Sequence, residues 1–117
     1  GTIKAGAMKE DAIPASKQMS FEFKSGVTDL SKDQILQLNT SIMPSLTKDT
    51  TLRIEIRSFA AVVNGDESGA RRVALSRALA MRQYFVDKGI TPVRMDLRAL
   101  GNETDQTPQD RVDLQIK

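Results

Sequence analysis

The chain has 117 residues, of which 39% are hydrophobic and 27% charged, which is enough for one compact domain with a single core. Its 17 basic and 15 acidic residues leave a net charge of +2, too small an excess to indicate nucleic-acid binding. Cysteine and histidine are absent, which excludes disulfides, thiolate nucleophiles and the commonest general base and metal ligand.

The first 16 residues, GTIKAGAMKEDAIPAS, mix Gly, Ala, Ser and Pro without a hydrophobic period. Such a composition predicts a flexible linker or a tail left by cloning. No apolar stretch approaches the roughly 18 residues of a membrane span, and no signal peptide opens the chain. We therefore expect one monomeric domain over residues 17–117 that is not itself inserted in a membrane.

Four segments alternate apolar and polar residues, which is the pattern of strands buried on one face. They predict strands near 18–24, 52–59, 93–100 and 110–117. A strand covered on both faces would read as continuously apolar. Helices should therefore cover one face of the sheet and leave the other face in water.

Two segments between these strands carry the apolar period of a helix. The first, near 32–46, follows a capping-box pattern at Ser31, and Pro44 is expected to end or kink it. The second, near 67–88, should end at Gly89. The element order predicts an α+β fold, a two-layer sandwich with a four-stranded mixed sheet and both helices on one face. The predicted core comprises Phe21, Phe23, Ile35, Leu38, Ile54, Ile56, Ala78, Met81, Phe85, Leu97 and Leu114.

Arginines interrupt the apolar stripe of the second helix, where residues 70–85 read ARRVALSRALAMRQYF. For Arg77 two interpretations are open: its stem covers the flank of the core while its head reaches water, or it binds a ligand at the mouth of the strand-helix loop. On the open face of the sheet, opposite charges on neighbouring strands predict cross-strand ion pairs. The residues of this charged face are Arg53, Glu55, Arg57, Arg94, Asp96 and Arg98.

Four pieces of the chain, in their order and spacing, resemble the OmpA-like, peptidoglycan-associated C-terminal domain of bacterial envelope proteins. They are FEFKSGVTDLSKDQILQLNTSI, VALSRALAMRQYFVDKGI, GITPVRMDLRALGNE and DRVDLQI, and the resemblance spans about 100 of the 117 positions. It implies a non-catalytic periplasmic module, without a cofactor, that anchors an outer-membrane or envelope protein by binding the diaminopimelate of peptidoglycan. That ligand presents a carboxylate and an ammonium, and both charges need a partner.

The resemblance assigns the ligand's carboxylate to Arg77 in the long helix and to Arg111 at the start of the last strand, since an arginine fork donates two parallel hydrogen bonds. The ammonium-binding aspartate of the family's Thr-Asp falls on Ala61, which cannot carry a charge. Asp66 and Glu67 are the nearest acidic replacements, although capping of the helix is the more favoured role for Asp66. For Arg111, which stands between two aspartates, a structural role is equally open.

Two further departures from the family pattern surround the same site. Ala70 replaces an asparagine of the helix, and Asp110 replaces the first arginine of an Arg-Arg-Val. These changes keep a second interpretation open, in which the domain has lost peptidoglycan binding and meets a partner protein. An RNA-binding sandwich is disfavoured because such proteins stack bases on aromatic residues of the open face, and aromatic residues are 4% of this chain. No nucleophile-base pair, phosphate loop or metal-ligand spacing indicates an enzyme.

Overall fold

The computed structural model describes residues 18–117. The predicted linker over residues 1–16 lies outside the described residues. The elements run in the order β1 (Gln18–Glu22), α1 (Lys32–Gln37), a π-helical turn (Leu38–Ile42), α2 (Met43–Lys48), β2 (Ile54–Phe59), α3 (Glu67–Asp87), a 3₁₀ turn (Pro92–Arg94), β3 (Met95–Gly101) and β4 (Arg111–Ile116). Each predicted strand and helix is present, with ends within two residues of the predicted bounds.

The four strands form one mixed sheet in the order β1-β4-β2-β3. Strands β2 and β3 are parallel, whereas β4 runs antiparallel to both β1 and β2. The inward residues of the strands share one core with residues of both helical segments. The α+β sandwich with helices on one face is therefore confirmed.

The first helical segment begins at a capping box: the Ser31 hydroxyl accepts from the Gln34 backbone nitrogen at 3.1 Å, and the Gln34 side chain accepts from the Ser31 nitrogen at 2.8 Å. The chain does not leave the helical path at Pro44. The interruption is the π-helical turn just before it, and Pro44 lies in the first turn of α2, where a missing N–H is tolerated.

Helix α3 begins at the predicted residue and ends at Asp87, one residue before the predicted end. The Asp66 side chain caps it by accepting from the Gly69 nitrogen at 2.9 Å. At the other end Gly89 has φ 91°, a left-handed conformation that suits glycine. The Ile90 nitrogen then donates to the Phe85 carbonyl at 2.9 Å and closes the helix.

The core contains most of the predicted residues, with two exceptions. Ile35 and Leu97 are partly buried and pack against its rim, because Leu97 lies on the edge strand β3 and Ile35 on the first helical turns after the loop. A second, smaller cluster joins Ala60, Ala70 and Ala74. These small side chains allow the start of α3 to approach the end of β2 closely, and the candidate site lies there.

Candidate functional site

An open pocket of about 300 Å³ lies between the end of β2 and the first turns of α3. The segment after β2 contributes small apolar side chains, the loop after β1 forms one rim, and the residue before β4 closes the opposite side. Its lining residues include Ala61, Val63, Asp66, Val73 and Asp110. Two carboxylates and several alanine or valine side chains therefore face the same cavity.

Arg77 lies beneath this pocket and is fully buried, with 0% of its side chain exposed. Its Nε donates to the Val27 carbonyl at 2.7 Å and its Nη2 to the Lys24 carbonyl at 3.0 Å. Its Nη1 donates to the Phe59 carbonyl at 2.9 Å and to Asp110 Oδ1 at 3.0 Å. Four of the five N–H groups of the guanidinium thus bind groups of the protein itself.

The burial of Arg77 bears on both interpretations of this residue, as a side chain whose head reaches water and as a ligand-binding residue. The expectation that its head reaches water is wrong, because acceptors from three separate loops and strand ends surround the guanidinium. Asp110 both binds Nη1 and lines the pocket, so a ligand's carboxylate in the pocket would have to compete with Asp110 for that nitrogen. The charge of Arg77 therefore holds neighbouring parts of the protein together.

Asp110 is the residue through which Arg77 acts on the pocket. Its Oδ1 accepts from Arg77 Nη1 and from the Ala61 backbone nitrogen, the latter at 3.1 Å. Its carbonyl accepts from the Phe23 nitrogen at 2.9 Å, so the residue links the ends of β1 and β2 to α3. The side chain remains 21% exposed and lines the pocket. From the sequence, Asp110 was identified only as a departure from the family pattern. The one sequence signal for its pairing with Arg77 is that an acidic residue stands where the family has an arginine, while Arg77 matches the family.

Ala61 and Asp66 are brought together in this pocket, as the resemblance implied. Asp66 is the helix cap, the role that the sequence favoured, and its Oδ2 lies 3.6 Å from Arg72 Nη2. Its side chain is nevertheless 56% exposed. Because capping uses Oδ1 and Oδ2 faces Arg72, a cation in the pocket would share the exposed carboxylate with that arginine.

Arg111 is not brought to this pocket. Side chains of β4 point alternately towards the core and towards the open face of the sheet, and Arg111 points towards the open face. There its guanidinium stacks on Phe59, 4.3 Å from the ring centroid. Its Nε binds Asp113 Oδ2 at 3.0 Å, and its Nη1 donates to the Pro108 carbonyl at 2.7 Å. Arg111 therefore fixes the loop before β4, which is the structural alternative that the sequence left open.

The open face carries the predicted ion pairs. Glu55 is their centre: its carboxylate is 7% exposed and lies 2.9 Å from Lys117 Nζ and 3.2 Å from the Nε atoms of both Arg57 and Arg98. The hydrogen bond from Lys117 lowers the pKa of Glu55, against the opposing effect of burial, with Arg57 contributing further. Glu55 therefore holds three cations together on this face, and the cluster keeps an excess of positive charge.

One predicted member of the charged face lies elsewhere. Arg53 pairs with Asp96 at 3.1 Å, but Arg94 belongs to the 3₁₀ turn before β3 and donates to main-chain carbonyls. These acceptors are Leu46 at 3.2 Å, Asp49 at 3.0 Å and Leu52 at 2.9 Å. Arg94 thus ties the end of α2 to the start of β2 and does not join the ion pairs.

The described part of the chain contains neither a membrane-spanning helix nor a metal-binding cluster of carboxylates. Over residues 18–117, no helix has the length and apolar character required to cross a bilayer. In the same span, the carboxylates form no group of three or more that would hold a metal ion.

A model of the OmpA family matches residues 21–114. The fold is similar to the OmpA-like domain of FopA1 from Francisella tularensis, with TM-score 0.73, 11% identity, and coverage of 86% of this chain and 73% of that one. The peptidoglycan-associated lipoprotein from Burkholderia pseudomallei gives 0.68 at 18% identity, covering 84% and 89%. The periplasmic domain of Helicobacter pylori MotB gives 0.68 at 15% identity, covering 92% and 79%. No curated protein sequence matches the chain.

Proposed function

The chain belongs to the OmpA family, and we propose on that premise that it is a non-catalytic module that binds peptidoglycan through its diaminopimelate-containing peptide. In this role it anchors an outer-membrane or envelope-bound protein of a bacterium from the periplasmic side. The names of two proteins with a similar fold support the proposal: one is a peptidoglycan-associated lipoprotein and the other a periplasmic domain of MotB.

The observation that carries the proposal is the pocket at the start of α3. Asp66 offers an exposed carboxylate to an ammonium, beside Ala61, the position where the family has its aspartate. Val63 and Val73 supply apolar walls for the methylene chain of diaminopimelate. Arg77 acts from beneath by holding Asp110, and Arg111 acts from the other face by fixing the loop before β4.

Binding to this site should be weaker than to a family site that has its aspartate. A charge-assisted contact contributes about 1.5 to 3 kcal/mol, so its loss corresponds to about a ten- to hundredfold weaker affinity. Asp66 recovers part of this because it lines the pocket and its side chain is 56% exposed.

The test is a titration with a diaminopimelate-containing stem peptide, followed by NMR, on the wild type, Ala61→Asp and Asp66→Asn. Asparagine caps a helix about as well as aspartate, so Asp66→Asn removes the charge and keeps α3. We expect shifts at residues 60–73, weaker binding in Asp66→Asn and tighter binding in Ala61→Asp. Asp96→Asn, an exposed aspartate on the open face, is the matched control and should leave the affinity unchanged.

Sedimentation with purified sacculi gives a second readout on the same proteins. The wild type should pellet with sacculi and remain soluble without them. Absence of both pelleting and peptide shifts would refute the peptidoglycan assignment. If Ala61→Asp pellets and the wild type does not, the pocket is a vestige of a family site that has lost its ligand.

A second candidate, a protein-interaction domain, is favoured by one observation on α3. Leu75 and Leu79, one helical turn apart, are 48% and 45% exposed. Such an apolar pair on the exposed face of α3 suits an apolar contact with a partner. Sedimentation equilibrium of the wild type and Leu79→Glu would test a second copy as that partner, since association should be lost in the variant.

A further inference from the structure

Two hydrogen-bond donors converge at the floor of the pocket in the way that a bound carboxylate requires. Arg77 Nη1 and the Ala61 backbone nitrogen both point at a single oxygen, Asp110 Oδ1, at 3.0 and 3.1 Å. A guanidinium and a main-chain N–H acting together form a strong, charge-assisted site for an anion. In this chain that anion is a side chain of the protein.

The remaining donors of Arg77 offer no other place for an anion. Its Nε and Nη2 are held by the Val27 and Lys24 carbonyls, and the side chain has 0% exposure. Within residues 18–117, the side chains lining the pocket include no lysine or arginine. A ligand carboxylate would instead meet Asp110 and Asp66, and like charges at short distance repel.

We propose that Asp110 is the specificity-determining residue of the pocket, because its carboxylate occupies the place where a ligand's carboxylate would bind Arg77 and Ala61. The inference rests on the proposed function and defines its ligand more narrowly. The pocket takes the ammonium end of a diamino acid and excludes the neighbouring carboxylate. A stem peptide whose diaminopimelate carboxyl is amidated therefore binds at least as well as the free acid.

The first experiment replaces the internal anion by a free one. Asp110→Ala removes the carboxylate and leaves the Arg77 charge unpaired, which should lower Tm by about 10 °C or more. Sodium formate should restore part of this loss in a saturable way, and sodium chloride at equal ionic strength should not. Wild-type Tm should show no such formate-specific gain. Asp66→Ala, which loses a pocket carboxylate that does not touch Arg77, is the matched control and should show no rescue.

The second experiment uses Asp110→Asn, whose amide oxygen still accepts from Arg77 and Ala61 while the charge is gone. Stem peptides with the diaminopimelate carboxyl free or amidated are titrated by NMR. In the wild type the amidated peptide should bind equally or more tightly. In Asp110→Asn the affinity for the free-acid peptide, relative to that for the amidated peptide, should rise about fivefold or more. This is the change expected when a like-charge repulsion of the usual size is removed.

The outcomes separate this inference from the function on which it rests. The inference is overturned if sodium formate raises the Tm of Asp110→Ala by no more than it raises the Tm of the wild type. The same conclusion follows if the variant stays unfolded in formate. It is also overturned if the acid-to-amide ratio is the same in the wild type and Asp110→Asn. If formate rescues Asp110→Ala but neither peptide binds either protein and neither protein pellets with sacculi, the internal anion is established and peptidoglycan binding is refuted.

Discussion

Replacing Arg77 by Met tests the central claim that this arginine stabilises the fold and does not bind a ligand directly. The substitution keeps a long side chain but removes four hydrogen bonds, and it leaves Asp110, 21% exposed, without its ionic partner. Removing one partner of a buried pair costs about 3–5 kcal/mol. The exposed part of Asp110 and the apolar contacts of Met reduce this, so we expect a loss of about 3 kcal/mol. Against a total of about 5–15 kcal/mol, the variant should still fold.

Urea unfolding followed by circular dichroism measures this loss. Arg72→Met is the matched control on the same helix, because Arg72 is 72% exposed and lies 3.6 Å from Asp66. An exposed pair of this kind contributes about 0–1 kcal/mol. Arg77→Lys should fall between the two, since a single ammonium keeps the charge but cannot reach acceptors that surround a planar guanidinium.

A structural role for Arg77 is refuted if Arg77→Met loses no more stability than Arg72→Met. That result would mean that the guanidinium is not held by its four acceptors, and a direct role in ligand binding would again be the better account. A combined Arg77→Met and Asp110→Asn variant adds a check on the pair. It should be less destabilised than the sum of the single variants, because removing both charges leaves neither one unpaired.

Two further predictions concern the core and the open face. Phe85→Ala should lower the unfolding free energy by about 3 kcal/mol through transfer and cavity terms, since Phe85 is fully buried, and an unchanged Tm would contradict its core position. Because Lys117 lowers the pKa of Glu55 below its ordinary 4.5, the Glu55 carboxylate stabilises the fold above that pH and loses this effect as the pH falls through the folded-state pKa. Urea unfolding of wild type and Glu55→Gln should therefore differ at about pH 7 and converge at about pH 2.

The fold could be predicted because its determinants are local in the sequence. The period-two strands and the helical stripes each lie within a few consecutive residues, and Gly89 and Asp66 mark the ends of α3 through their own chemistry. The prediction failed where a local signal was overridden by its neighbour. Alternation placed Arg94 on the sheet, but Pro92 opens a 3₁₀ turn, so the strand begins only at Met95 and Arg94 turns towards α2.

The candidate site could be predicted less well, because its contacts join distant parts of the chain. The acceptors of Arg77 lie 18 to 53 positions away, at Phe59, Asp110, Val27 and Lys24. A sequence pattern shows that the arginine sits on an apolar stripe, but it does not show which loop carbonyls will meet it. Burial of a charge is decided by those acceptors, so the choice between water, ligand and protein required the three-dimensional arrangement.

Arg77 and Asp110 are best understood as one structural unit. An arginine buried without an anion would be strongly unfavourable, so a chain that keeps Arg77 needs a carboxylate at Nη1, supplied either by a ligand or by itself. Asp110 supplies it from within, at 3.0 Å, and also fixes the Ala61 nitrogen. If Asp110 is the anion of this site, as we propose, the presence of Arg77 is no evidence for carboxylate binding in this chain. The carboxylate of Asp66 is exposed and remains available to a ligand. The affinity of the pocket for an ammonium group is therefore the property that experiments should measure first.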